Sequence, residues 1–461
     1  MAATSPPADR ALERVDSSWA WQAYRPTDDA PWNLARAAHL YRRAAFGANW
    51  RQLREAQAAG PAETIDRLLA GDSGVDSFYQ EARSTAAALR GSNNRPDLPA
   101  WWLYVMLQTP HPLREKMTLF WHGHFATSSA KVTDNRLMYE QNELLRKYAL
   151  GNFAPLLGQM ARDPAMLIWL DSVTNRKSHP NENFAREVME LFALGIGHYS
   201  ETDIKEAARA FTGWEVRYNA FRVNKHQHDT GVKNVLGQRG KWEGEDVIRI
   251  ILEQPAAARF LAGKIVRFLV SEEALPPSLV EPLADGYRSR DYDALWLVRT
   301  ILSSNFFFSP YAMGQKIKSP VDYAIGLVRA LEGTANTYAL ADSLAKLGQG
   351  VFAPPNVKGW NGGVEWINAS TLLGRANLAW ELVGGAEEKF SGGIQLAKLA
   401  ALGDVSTSAE TARRLVDLLL ASAIPDANMV QLTHLAGGAD RRESLARVVQ
   451  AITTLPEFQL Q

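Results

Sequence analysis

The feature that most constrains this chain is its punctuation: apolar residues recur at helical spacing in short runs, each opened or closed by proline or glycine. Such a pattern specifies short helices joined by tight turns, because glycine tolerates the left-handed residue after a helix and proline pre-sets the first helical turn. Helical spacing starts the body at 35–45, resumes at Trp50 as far as Gly60, and reopens at Pro61 to run to Gly71. From 99 to 108 aromatic and aliphatic residues occupy every side of the helical wheel, which is expected of a central helix buried all round. Further helices are expected over 136–150, 153–162, 181–194 and 203–212. The last two form a hairpin turned by Gly195 and Gly197, with Ser200 and Asp203 at capping-box spacing.

Between Trp214 and Leu236 the period changes: Val216, Tyr218, Phe221 and Val223 stand among polar residues, which fits a short β-hairpin. Helical spacing returns over 246–252, 260–270, 279–288, 293–302 and 321–331. The stretch 353–368 holds Pro354, Pro355, Gly359, Gly362 and Gly363, which do not sustain a helix. Trp360 and Trp366 within it call for an ordered, packed loop. Ser370 reads as the N-cap of a helix to Leu382, and the Ala/Leu-rich tail from Ser406 reads as helical. The expected fold is mainly α, a multi-helical globular array with a small β-hairpin near 214–236. An arm (1–30) precedes a helical lobe (31–240), on which a second helical lobe (241–461) packs.

Lys+Arg and Asp+Glu balance at 50 each, which removes the electrostatic reason to expect nucleic acid or an anionic membrane as partner. The absence of cysteine removes disulfides, thiolate-bound zinc, iron–sulfur clusters and a thiol nucleophile, so any metal must be held by imidazole, carboxylate or amide. No run of about 18 apolar residues occurs, so no membrane span is expected. Residues 1–10 are polar, hold Pro6 and Pro7, and show no basic stretch followed by an apolar one. The expected location is therefore cytoplasmic, the alternative being periplasmic or extracellular by export with a signal-bearing partner. The Gly-x4-Gly-Lys-Ser/Thr, Gly-x-Ser-x-Gly and His-Glu-x-x-His patterns are all absent, and three large enzyme classes lose their usual support.

Polar residues concentrate between about 120 and 235. In Phe120-Trp-His-Gly-His-Phe125 the imidazoles of His122 and His124 would diverge by about 200° on a continuous helix, so they share a metal only if the helix stops at Gly123. The alternative is a helix end anchored by Trp121 and Phe125, with each imidazole on a backbone carbonyl. A second pair, His226 and His228, precedes Asp229, Gly231 and Lys233; together the pairs would suffice for one metal site, while a solvated turn explains the second pair equally well. Glu182, Arg186 and Glu190 form one helical stripe, with Asn183 and Glu187 beside it, and Asp203, Glu206 and Arg209 follow on the next helix. Buried together, these groups would make either an acid–base site or a structural ion network. Asp163, Asp171 and Asn175 surround the apolar run 165–170 as site residues or caps, and Gln141, Asn142 and Arg146 can face the same place. The glycine-rich run Lys358 to Gly363 lacks a strand-to-helix context for phosphate and reads as a packed loop near the site. The 14 tryptophans, Trp121 and Trp360 among them, suit a protein partner or a stacked sugar.

The runs Arg42-Arg-Ala-Ala-Phe-Gly47, Phe120 to Phe125, Pro180-Asn-Glu-Asn-Phe-Ala-Arg-Glu-Val-Met-Glu-Leu191, Ala207-Ala-Arg-Ala-Phe-Thr-Gly-Trp214, Pro355-Asn-Val-Lys-Gly-Trp360 and Trp366-Ile-Asn368 resemble the bacterial domain-of-unknown-function family 1800 over residues 33–455. The resemblance implies a largely helical bacterial protein, often encoded beside an exported protein of alkaline-phosphatase-like fold, and carries no established activity. His122, His124, Asn181, Glu182, Asn183, Arg186, Glu187, Glu190, Asp203, Glu206, Arg209, His228, Asp229 and Lys233 fall on its recurring motifs; His179, His198 and His226 do not. The implied metal set is therefore His122, His124 and His228 with a carboxylate, for a divalent zinc, iron, copper or manganese ion. Two functions are expected. One is an enzyme, a hydrolase by first choice, with Glu187, Glu190, Arg186, Glu206, Arg209 and Asn183 as catalytic groups and Trp121, Asp171, Asn175, Asp229, Lys233 and Trp360 as substrate contacts. The other is a non-catalytic binding or chaperone-like partner of the phosphatase-like neighbour.

Overall fold

The computed structural model describes residues 12–461 except 93, 386–389, 391–393, 395, 397–398, 400–401 and 421, and its elements follow the punctuation closely. Asn33 caps Leu34–Ala45, an Asn49/Gln52 capping box opens Trp50–Ala59, and Pro61–Ala70 follows Gly60, whose φ is +84°. Asp97–Gln108 is buried apart from Pro99, Tyr104 and Gln108, as its all-round apolar wheel requires. The chain is mainly α, with 61% of it helical and two small antiparallel hairpins. Among the described residues no helix is long and apolar enough to cross a membrane.

Several elements differ from the sequence pattern. Two hairpins form where one was expected: Trp214–Arg217 with Ala220–Val223, and Lys233–Val235 with Gln238–Gly240. Their turns place Tyr218 and Asn219, and Leu236 and Gly237, at positive φ, the backbone that matches the right-handed twist of paired strands. The segment 181–194 is α-helical only over Glu182–Glu187 and then widens into a π turn, Val188–Ala193, with Leu194 N–H bonding Met189 O at 2.8 Å. Asn368, not Ser370, caps Ala369–Trp380: its side chain accepts from Thr371 N–H, and the Thr371 hydroxyl accepts from Asn368 N–H.

Residues 1–11 of the expected arm lie outside the described residues. The rest of it lies along later elements, where the Trp21 indole donates to Leu279 O at 2.8 Å and Tyr24 N–H to Ser303 O at 2.7 Å. Two apolar clusters fill the interior. One draws on residues from Val15 to Ala312, on both sides of residue 240, and the other on residues from Ala38 to Phe458. Helices Leu34–Ala45 and Pro112–His124 contribute to both, so their buried polar residues sit between the two cores.

Arg42 and Arg43 are buried there against the backbone carbonyls Leu418 O and Ala312 O, at 3.0 and 2.6 Å, whereas the charges of the second helix are paired with opposite charges. Glu115, fully buried, accepts from the Tyr79 hydroxyl at 2.8 Å, the Trp102 indole at 2.7 Å, and Arg146 Nε and Nη2 at 2.6 and 3.0 Å. Glu115→Ala would leave the Arg146 guanidinium buried without its bidentate partner and should cost about 3–5 kcal/mol, read as a lower urea midpoint. An unchanged midpoint would show that the network carries no stability.

Candidate functional site

Helix Pro112–His124 runs unbroken through both histidines, so their rings diverge. His122 Nε2 accepts the Phe352 N–H at 3.0 Å, and its ring meets those of Trp102 and Phe352. His124 Nε2 lies 3.0 Å from Phe192 O and so carries the proton as donor. Burial pushes His122 down to about 3 and holds His124 well below the ordinary imidazole value, helped in His124 by the Lys264 charge; both rings are neutral. His228 is engaged elsewhere, with Nδ1 2.9 Å from Thr212 O. The expected three-imidazole metal set is thus not assembled, and among the described residues no group of three or more histidines or carboxylates stands ready to hold a metal ion.

The polar hairpin is likewise dispersed. Arg209 grips both Asp229 oxygens, at 2.8 and 3.3 Å, and Glu206 at 2.9 Å. Lys233 donates to Asp229 O and Gly231 O, and Glu206 accepts from Asn234 N–H. These groups fasten the 224–240 segment to helix Glu201–Ala210. Arg186 pairs with Glu201 and Glu182, Asn183 donates to Leu170 O, and Asp171 pairs with Lys131 at 2.7 Å. Asn175 is buried between Ala208 O and the Asn181 N–H, and Trp121 is core, its indole donating to Ala149 O at 3.1 Å. The residues expected to contact substrate at 121, 171, 175, 229 and 233 are therefore bracing the fold, and none lines the cavity at the end of helix Pro112–His124.

That cavity, of about 340 Å³, opens where helix Pro112–His124 ends against helix Pro255–Leu269 and the 358–366 loop. The loop is held by a close backbone approach: Gly359 has φ +78°, and a Cβ there would fall 2.4 Å from Gly123 O. Phe120, Phe268, Trp360 and Trp366 supply aromatic walls, and His124 lines the same space. Of the lining acids, Asp322 is taken by buried Lys116 and the Ser319 hydroxyl, and Glu272 by Lys316 at 2.9 Å. Lys264, Arg267 and Lys358 line the cavity with no carboxylate in contact among the described residues. The Lys264 ammonium reaches only Leu191 O, at 3.4 Å, and burial together with Arg267 pushes it down to about 8. Trp360 Nε1 is buried without a partner, as is His124 Nδ1.

Glu187 stands within the field of Lys358. It is half-buried and makes no hydrogen bond among the described residues, whereas Glu190 accepts from the Tyr199 hydroxyl at 2.7 Å. Burial and the Glu190 charge raise the Glu187 carboxyl above its ordinary range, against the opposing pull of Lys358 and Arg186. Asn183 and Arg186 line a separate, open hollow of about 580 Å³, and a small void near Arg42 and Lys318, about 20 Å³, has room for little more than one water.

Residues 39–460 match the family described as "Protein of unknown function (DUF1800)". The chain belongs to this family. No curated protein and no solved structure matches it. Of the positions singled out in this DUF1800 chain, His124 and Trp360 line the cavity and Glu187 stands near its lysine. Lys264, Arg267, Glu272, Lys316 and Tyr199 escaped the sequence reading. The available signal was Lys264-Ile-Val-Arg267, two cations one turn apart in a largely apolar helix that also carries Arg259.

Four buried histidines make the fold acid-sensitive. His39, His111, His122 and His124 are all pushed down by burial, His111 to about 4 and His122 to about 3. Below about pH 6.5 the unfolded chain binds protons that the folded chain refuses, so their stabilisation is complete above that pH and is lost as pH falls toward the folded values. Each contributes up to about 1.4 kcal/mol per pH unit. Asp163, pushed up to about 7 by burial, runs oppositely, its contribution being lost as pH rises through that value. The urea midpoint should fall on acidification below about pH 6.5, and His122→Gln, which keeps an acceptor for Phe352, should flatten the fall. A midpoint constant down to about pH 5 would contradict the neutral-histidine assignment.

Proposed function

We propose that this protein is an acid–base enzyme that binds an anionic substrate with a flat apolar part in the cavity between helices Pro112–His124 and Pro255–Leu269 and the 358–366 loop. The observation that carries this reading is the imbalance of the lining: Lys264, Arg267 and Lys358 lack carboxylate partners, and aromatic rings flank them. Arg267 and Lys358 are exposed, but Lys264 is enclosed against apolar walls, where a cation attracts an anion more strongly than it would in water, and aromatic faces select the apolar part. The buried Trp360 N–H adds a donor that a ligand oxygen would satisfy.

Glu187, which neighbours Lys358 but lies outside the cavity lining, is the proposed source of the chemistry. A carboxyl that keeps its proton to higher pH than a free glutamate can protonate a leaving group, so hydrolysis assisted by a carboxylate rather than a metal is the reaction proposed. Fluorescence titration through Trp360 and Trp366 with phenyl phosphate, benzoate and benzyl alcohol tests the binding half. The anions should bind at least about tenfold tighter than the alcohol, and Arg267→Met should weaken them by about tenfold, the worth of one charge-assisted hydrogen bond. Equal affinity for the alcohol would overturn the reading and favour the alternative, a non-catalytic partner of a phosphatase-like protein. For any aryl ester that is turned over, Glu187→Gln should lower kcat about a hundredfold with KM little changed; an unchanged kcat would remove Glu187 from the mechanism.

A further inference from the structure

Four lysines stand in or beside this cavity, and their circumstances differ. Lys116 is buried against Asp322, Lys316 is held by Glu272 at 2.9 Å and by Arg267 O at 3.2 Å, and Lys358 is exposed on the loop. Lys264 alone among the four is enclosed yet unclaimed. It projects from the middle of helix Pro255–Leu269, its ammonium lies 4.9 Å from the centroid of the Phe260 ring, and its one backbone contact, Leu191 O, is at the outer limit of a hydrogen bond. That carbonyl belongs to the π turn Val188–Ala193. Arg267, one turn along the same helix, sets a second cation beside it. His124, neutral and with an unpartnered Nδ1, lines the same cavity as a hydrogen-bond acceptor.

We infer that Lys264 is an imine-forming residue, which gives the cavity a second activity, besides hydrolysis, toward aldehydes and ketones carrying a carboxylate or phosphate. The inference rests on the cavity being the ligand site, as proposed above. An amine in this setting gives up its proton more readily than a surface lysine, because apolar walls and a neighbouring guanidinium both disfavour the ammonium. The geometry divides the work: Arg267 holds the anionic group, and Lys264, about 5–6 Å away along the same helix face, meets the carbonyl. The neutral amine's lone pair attacks the carbonyl carbon, and the carbonyl π electrons move to oxygen, which takes up a proton. Nitrogen gives up a proton, its lone pair then expels that hydroxyl with a further proton as water, and a protonated C=N bond remains. No oxidant or reductant is consumed, and water addition reverses the sequence.

Pyridoxal 5′-phosphate and pyridoxine 5′-phosphate make a matched pair of probes, the first an aldehyde and the second the corresponding alcohol. With intact protein, the aldehyde should give the absorbance of an imine, and borohydride, which delivers hydride to the imine carbon, should fix a secondary amine that peptide mapping places on Lys264. Lys264→Arg keeps the cation and removes the nucleophile: trapping at that position should vanish and total trapping fall at least about tenfold, while pyridoxine 5′-phosphate binds within about threefold of wild type. Binding of the alcohol with adducts scattered over exposed lysines, or undiminished trapping in Lys264→Arg, would overturn the inference and leave the anion cavity standing. Failure of pyridoxine 5′-phosphate to compete with phenyl phosphate would remove the cavity reading and this inference together.

Discussion

The contact on which the site depends is between two backbones, where Gly359 lies against the carbonyl of Gly123 at the end of helix Pro112–His124. Only glycine fits there, because its φ is positive and any Cβ would collide with that oxygen. Once the loop is seated, Phe352 N–H finds the His122 ring and Trp360 is placed over the cavity. A segment rich in proline and glycine thereby becomes as ordered as a helix. Its order comes from tertiary hydrogen bonds and ring contacts, since it has almost no regular structure of its own.

Two kinds of buried polar group coexist in this molecule. Glu115 with Arg146, and Asp322 with Lys116, are closed: every charge faces a partner, and their pKa shifts report structural pairing. The cavity is open in the same sense, with cations that outnumber the acids available to them. Buried Arg42 and Arg43 also lack a carboxylate, so what separates candidate site from scaffold is an unpaired cation that faces a cavity, and a paired ion network can perturb its members as strongly as a catalytic centre does.

Helices were legible where local chemistry suffices. Capping boxes at Asn49 and Ser200 and the glycine after Ala59 mark boundaries through hydrogen bonds within a few residues, and the structure keeps them. The second hairpin was not legible, since three-residue strands are too short to show a period, and neither was the π turn, which depends on what packs against it. The candidate site was only partly legible. Motif density drew attention to the Arg186, Glu206 and Arg209 stripes, whose charges turn out to face one another and the 224–240 segment. Lys264 and Arg267 attracted none, because cations on an amphipathic helix look like ordinary surface residues until the opposite wall is known.

By itself, the sequence determined the helical class, most helix starts and stops, the ordered state of the 353–368 loop and the family, because these depend on local sterics and on strings of adjacent residues. Tertiary structure alone decided which polar groups are neutralised and which are left facing a cavity. Whether a lysine meets a carboxylate, a carbonyl or an empty space is set by side chains tens or hundreds of residues away, and electrostatic energy at a few ångströms depends on that neighbour far more than on the residue's own place in the chain.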